Sequence, residues 1–197
     1  MKVTVLGSGT SQGVPVIGCQ CPVCQSLDFR DKRLRSSVHI EVEGKSIVID
    51  SGPDFRQQML RERISQLDAL LFTHEHKDHT AGMDDIRSFN FLQEKDMPVY
   101  AAPRVIEQLK REFAYVFSEK KYPGVPMVEV NELDGEPFEV EGIQVIPIEV
   151  LHYKLPVYGF RIGDFTYITD AKTISKKSLE ICKINSEGKL EIQWSEG

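Results

Sequence analysis

The chain has 197 residues, 41% of them hydrophobic and 27% charged, and a formal net charge of -6 at pH 7. That length suits one domain with a sizeable core, and the negative charge argues against a protein that coats nucleic acid, although a single phosphate fits a local pocket. No apolar run approaches the roughly 18 residues of a membrane span, and the opening MKVTVLGSGT lacks the apolar core and small-residue cleavage site of a secretory signal. The expected location is therefore the cytoplasm, with no membrane partner. In a reducing compartment the clustering of three of the four cysteines, Cys19, Cys21 and Cys24, favours metal binding over disulfides.

The whole chain, 1–197, reads as one domain. Residues 2–6 form a buried strand that ends in Gly7-Ser8-Gly9, and 10–35 form a long irregular loop that carries the cysteines. Loops of that length inside a compact domain usually have a function or are disordered. Residues 37–42 and 46–50 are strand-like, with a hairpin turn at Glu43-Gly44-Lys45. The spacing of Phe55, Met59, Leu60 and Ile64 predicts a helix over 54–64, with Asp54 as its N-cap. A β-run at 67–72 leads into a histidine-rich loop, a strand follows at 97–101, and a helix over 103–117 has Pro103 in its first turn. Further strands are expected at 127–133, 138–140, 143–150, 157–162 and 165–169, the last two joined by a tight Gly163-Asp164 turn. A short helix begins near Thr173, and the polar tail, 184–197, contains one strand-like run at 189–194. Many strands with a few interspersed helices indicate an α/β class of layered, mixed sheets.

The stretch His74-Glu75-His76-Lys77-Asp78-His79 places three of the chain's five histidines and two acids in six positions, directly after an apolar run. Neutral imidazoles bind divalent ions, and a carboxylate adds charge neutralisation. In a loop, residues two apart can face one side, so His74 and His76 can grip one ion while Asp78 and His79 face another. Further ligands must come from distant sequence. His152 follows one predicted strand and Asp170 another, both at strand ends where a rigid scaffold presents side chains.

Taken with the upstream Asp50-Ser51-Gly52, these residues resemble the metallo-β-lactamase superfamily. The opening Gly7-Ser8-Gly9-Thr10-Ser11-Gln12-Gly13-Val14-Pro15 and the Cys19, Cys21, Cys24 trio narrow the resemblance to its PhnP-like branch of cyclic-phosphate phosphodiesterases. The resemblance implies an αββα sandwich with a two-metal site at one edge of the sheets. It implies His74, His76 and His152 on one ion, Asp78 and His79 on the other, Asp170 between them, and Zn2+ or Mn2+ as occupants. Asp78 is assigned a catalytic as well as a ligand role. The chemistry is coherent on its own terms: a bound ion lowers the pKa of water from 15.7 to about 7, and two ions can hold both the attacking and the leaving oxygens of an in-line displacement.

The family pattern continues through a further strand, helix and strand that carry late histidines, and this sequence has no histidine after His152. The expectation is a sandwich lacking its last elements, with a weaker second ion and a sheet edge covered by the tail or by a homodimer. His39, within the 37–42 strand, reads as an ordinary strand side chain. The cysteine trio is a candidate for an additional structural Zn2+, at about 2.3 Å per thiolate, with Cys182 or His39 as a fourth ligand. Ser11 and Gly13 are candidate substrate-binding residues through hydroxyl and backbone N–H groups; Arg35, Ser36 and Arg56 are weaker ones.

The function expected is a metal-dependent hydrolase that attacks small, cyclic phosphodiesters with a hydroxide generated at the ions. A tRNA 3′-end endonuclease shares the histidine motif but usually carries a basic arm, which this acidic chain does not show. The remaining alternative is a metal-binding remnant without turnover. The absence of a Gly-x-Ser-x-Gly elbow and of a phosphate-loop lysine motif disfavours serine hydrolases and nucleoside triphosphatases.

Overall fold

The apolar runs pair into two sheets in a computed structural model, which describes residues 1–182. The expected strand at 189–194 lies outside the described residues. The first sheet is built from β1 (Lys2–Gly7), β2 (Ser37–Val42), β3 (Lys45–Ile49), β4 (Ala69–Leu71), β5 (Met97–Ala101) and β6 (Val128–Glu132), in that order. The segment between β1 and β2 contains one helical turn, α1 (Pro22–Gln25). The first three strands are antiparallel, and β3 to β6 run parallel. This division follows the connections. The Glu43-Gly44 turn closes an antiparallel hairpin, whereas parallel neighbours need a crossover. Those crossovers carry α2 (Phe55–Glu62), α3 (Lys77–Thr80), α4 (Arg87–Gln93) and α5 (Pro103–Glu112).

The second sheet, β7 (Phe138–Val140), β8 (Ile143–His152), β9 (Leu155–Ile162) and β10 (Phe165–Tyr167), is antiparallel in the order β10-β9-β8-β7. Side chains alternate across a strand, so β3 and β4 each supply two cores. Val48 and Leu70 pack with Phe55, Met59, Phe89, Val105, Ile106 and Leu109 of the helices. Ile47, Ile49, Ala69 and Leu71 pack with Val140, Val145, Phe160 and Ile162 of the second sheet. Strands buried on both faces read as continuous apolar runs, as these do. A final helix, α6 (Lys176–Cys182), places Cys182 against Ile148, Val150 and Val157 on the outer face of β8 and β9. The layers are therefore α-β-β-α, as expected.

The structure corrects some local expectations. Asp54 sits at the N-cap of α2 but its carboxylate makes no cap; it accepts from Arg35 N (2.9 Å) and pairs with Arg35 Nη1 (3.0 Å). A tertiary charged donor outcompetes the local N–H groups. α5 stops at Glu112, because Phe113 leaves helical geometry at φ -114°, ψ 43°. α4 falls in a stretch where no element was expected, and its Phe89 is buried while Phe91 is 68% exposed.

In the middle of β2, His39 is buried and its Nε2 lies 2.8 Å from Ser46 Oγ at the start of β3. Ser46 Oγ donates to Gln66 O (2.6 Å), and Ser46 N donates to Asp68 Oδ2 (2.9 Å). His39 is thus a strand side chain, as read. Burial holds its pKa below the ordinary value, against a smaller opposing pull from Glu41. The unfolded chain then takes up a proton near pH 6.5 that the folded chain refuses, so stability falls as pH drops below that point. Denaturant midpoints of His39→Gln should fall less steeply between pH 7 and pH 5 than those of the wild type. One proton sets the ceiling on the difference, about 1.4 kcal/mol per pH unit.

Candidate metal centre

Four chain segments meet where β3, β4, β8 and β10 end. β3 runs out at Ile49, and Asp50 follows in the left-handed region at φ 66°. β4 ends at Leu71 and delivers Thr73, His74 and His76, with His79 on the single turn of α3. His152 is the last residue of β8, and Asp170, at φ 57°, follows β10. Positive φ is uncommon outside glycine, although aspartate tolerates it best among charged residues. Two such acids at neighbouring strand ends mark backbone shaped for side-chain placement.

The histidine loop lies directly on the Asp50 loop. Ser51 N donates to His79 O (2.8 Å), and Gly82 N donates to Ser51 O (2.7 Å). A Cβ on Gly52 would sit 2.0 Å from the carbonyl oxygen of Asp78, so only glycine permits this approach. On the other side Tyr158 N donates to Thr73 O (3.0 Å), fixing the loop to β9.

These contacts set the ring nitrogens. The fully buried Asp50 accepts at Oδ1 from Thr73 N (2.8 Å) and takes the Thr73 hydroxyl at Oδ2 (2.9 Å). Its Oδ2 also lies 2.7 Å from His79 Nδ1. Thr73 Oγ1 lies 2.9 Å from His74 Nδ1. With its own proton given to Asp50, Thr73 accepts from His74, so Nδ1 of both rings carries hydrogen and Nε2 faces inward. His74 Nε2 lies 3.0 Å from His76 Nδ1 and 3.6 Å from Asp170 Oδ2. His79 Nε2 lies 3.2 Å from Asp78 Oδ2 and 3.6 Å from Asp170 Oδ2. His152 Nε2 is 3.9 Å from the same Asp170 oxygen, and its ring centroid is 5.4 Å from that of His76.

The donor set fits divalent cations. Ligand atoms of His74, His76 and Asp170 fall within 4.8 Å of one another, as do those of Asp78, His79 and Asp170, so Asp170 is common to two groups. His79 Nε2 is buried and has no hydrogen-bond partner. Burial, then the nearby His79, holds His74 down to about 3, which keeps it neutral and its lone pair available. Burial also opposes charge on His79, yet Asp50, Asp170 and Asp78 outweigh it and push that ring up to about 12. Burial raises Asp170, but His79 and Thr169 hold it well below the usual carboxylate range. The carboxylates thus create a negative pocket in which a proton on His79 stands where a cation would relieve the same field.

Of the six expected ligands, the structure brings His74, His76, Asp78, His79 and Asp170 into the two groups, whereas His152 belongs to neither and stands beside them, its Nε2 3.9 Å from Asp170 Oδ2. Asp50 and Thr73 were not among the predicted site residues; their signal was the Asp-Ser-Gly after an apolar strand and the Thr before the first histidine. Cys19, Cys21 and Cys24 also converge, with sulfur atoms within 4.8 Å of one another. Cys24 Sγ accepts from Val16 N and Cys21 Sγ from Cys24 N, each at 3.4 Å. Neither suggested fourth ligand joins them: Cys182, the last residue of α6, packs against Ile148, Val150 and Val157, and His39 bonds Ser46. The substrate role expected of Gly13 through its N–H is corrected, because that group donates to Thr10 O (2.8 Å) and the N–H of Gly9 to Leu34 O (2.7 Å). Ser11 is exposed, and its carbonyl accepts from Arg35 Nε (2.9 Å). Arg35 and Ser36 clamp the glycine-rich loop, Ser36 Oγ donating to Gly9 O (3.0 Å). Among the described residues no helix is long and apolar enough to cross a membrane.

Residues 45–184 match the sequence model of the family described as beta-lactamase superfamily domain. A Porphyromonas gingivalis (strain ATCC BAA-308 / W83) protein named octanoyltransferase is 43% identical over 185 residues, which are 93% of this chain and 37% of that protein. The chain spans about a third to a half of the curated relatives it matches first. A crystal structure described as a new diphosphatase from the PhnP family has a TM-score of 0.83 and 42% identity, over 91% of this chain and 68% of that one. Zn(2+)-bound PqqB from Methylobacterium extorquens shares the fold, with a TM-score of 0.64 and 22% identity over 82% and 61% of the two chains. With its α-β-β-α layers and its histidine–aspartate cluster at the strand ends, the chain belongs to the metallo-β-lactamase superfamily, a fold that generally binds metal.

Proposed function

We propose that the domain is a metal-dependent hydrolase of small phosphodiesters, cyclic ones included. The observation that carries this reading is the sharing of Asp170 between two ligand groups, a layout suited to a pair of ions. His74, His76 and His152 would hold one ion, Asp78 and His79 the other, and Asp170 both; zinc and manganese suit this mixed nitrogen and oxygen set. When bound, such ions make hydroxide available near neutral pH and neutralise charge on phosphoryl oxygens.

The chain's own residues do the rest. Thr73 fixes the tautomer of His74, and Asp50 that of His79, so both present lone pairs to the site. Asp78, at the edge of the cluster, would also accept a hydrogen bond from the attacking water and orient it toward phosphorus. The relative described as a diphosphatase supports phosphorus as the reacting centre. In a diphosphate diester each phosphorus has two bridging oxygens, as in a phosphodiester, so one site can serve either. The name octanoyltransferase on a relative favours a second reading, hydrolysis of an acyl ester or thioester at the same site.

Two experiments test this. With zinc or manganese added, the wild type should hydrolyse bis(p-nitrophenyl) phosphate faster than an octanoyl thioester, and His76→Ala should lose about a thousandfold or more in kcat/KM. Equal rates in both proteins would leave a metal-binding remnant; faster thioester cleavage would favour the second reading. Asp50→Asn should keep the fold by circular dichroism yet bind zinc about 10–100-fold more weakly in competition with a chromophoric chelator, because the partner behind a ligating histidine sets its orientation and basicity.

A further inference from the structure

The hairpin that carries His152 ends in an unusual turn. β8 and β9 are joined by two residues, Tyr153 and Lys154, between the paired His152 and Leu155. Tyr153 lies at φ 55°. The other three hairpin turns, Glu43-Gly44, Glu141-Gly142 and Gly163-Asp164, each contain a glycine, the residue such turns favour. This one has none and places a bulky aromatic in the left-handed region, a genuine steric outlier.

The tip is nevertheless held firmly. Leu151 N donates to Thr173 O (2.9 Å), and Leu151 O accepts from Lys172 N (2.8 Å) and Thr173 N (3.0 Å). On the other strand Pro156 O accepts from Arg104 Nη2, which also lies 3.3 Å from Glu75 Oε2 in the histidine loop. The clamped turn leaves the Tyr153 side chain in solvent: the residue is 73% exposed. Its ring centroid is 5.6 Å from that of His152, which is in turn 5.4 Å from His76 and 6.0 Å from His74. An exposed aromatic ring therefore stands one ring away from the ligand cluster, on an anchored support, beside the exposed Lys154.

We infer that Tyr153 is a specificity-determining rim residue that stacks on a planar ring carried by the substrate, so the preferred ligand is an aryl or heteroaryl phosphate ester rather than an alkyl one. This rests on the phosphoryl reading above. Stacking between rings adds a modest preference beyond area burial, about three- to tenfold in affinity. The backbone strain at Tyr153 is the structural counterpart: a substitution that relieves it should stabilise the fold while removing the preference.

The test uses the zinc-loaded protein and titration calorimetry with phenyl phosphate and methyl phosphate. Wild type should bind phenyl phosphate about three- to tenfold more tightly. Tyr153→Phe should keep that ratio, and Tyr153→Ala and Tyr153→Gly should bring it to about one, with bound zinc per chain unchanged. Tyr153→Gly should also melt at a higher temperature than wild type, which a purely structural role for the ring would not give. An unchanged ratio in Tyr153→Ala, no preference in wild type, or no binding of either phosphate would overturn the inference. Hydrolysis of bis(p-nitrophenyl) phosphate, measured alongside, separates the two claims. Turnover without a Tyr153-dependent preference sinks the rim alone, and a Tyr153-dependent preference without turnover sinks the hydrolase reading alone.

Discussion

The site depends on one buried carboxylate. Asp50 is fully enclosed at the end of β3, and its oxygens meet the Thr73 amide, the Thr73 hydroxyl and His79 Nδ1. A buried charge is tolerated only where donors surround it. Here those donors belong to the segment that carries the histidines, so burying the acid and orienting the rings are one event. The positive φ of Asp50 and the bare Cα of Gly52 let the two loops approach closely enough for this to happen.

The surrounding architecture fixes the remaining distances. The parallel strands β3 and β4 are packed on both faces, and their ends are correspondingly rigid platforms for Asp50 and His74. The second sheet faces the first through Phe160, Ile162, Val140 and Val145, and brings His152 and Asp170 in from the far side of the sandwich. Tyr158 N on Thr73 O and Arg104 between Glu75 and Pro156 tie the two sheets together beside the cluster. Moving one sheet against the other would separate His152 and Asp170 from His74 and His79.

Much of this was legible in the sequence, for physical reasons that differ by element. The histidine loop was readable because its ligand types are dense and follow an apolar run that needs none of them. His152 and Asp170 were readable only beside that loop, since either alone looks like a polar residue at a strand end. Asp50 was missed as a site residue because its role is set by partners 23 and 29 positions away. Gly13 was misread for a related cause: its N–H looks free in the sequence but closes a turn onto Thr10, inside a loop held by Arg33, Leu34 and Arg35. The Asp54 cap failed likewise, its carboxylate taken by Arg35. Local periodicity sees strands and helices; it does not see which polar groups tertiary contacts have already satisfied.

We propose that imidazoles and acids from three separate segments, oriented from behind by Asp50, hold a pair of divalent cations around Asp170. Anomalous diffraction at the zinc edge from crystals of the zinc-loaded protein addresses this directly. Two peaks that share Asp170 are expected, one contacted by His74, His76 and His152 and the other by Asp78 and His79. The absence of any peak among these residues, or peaks that leave His152 and Asp170 without contact, would contradict the proposal.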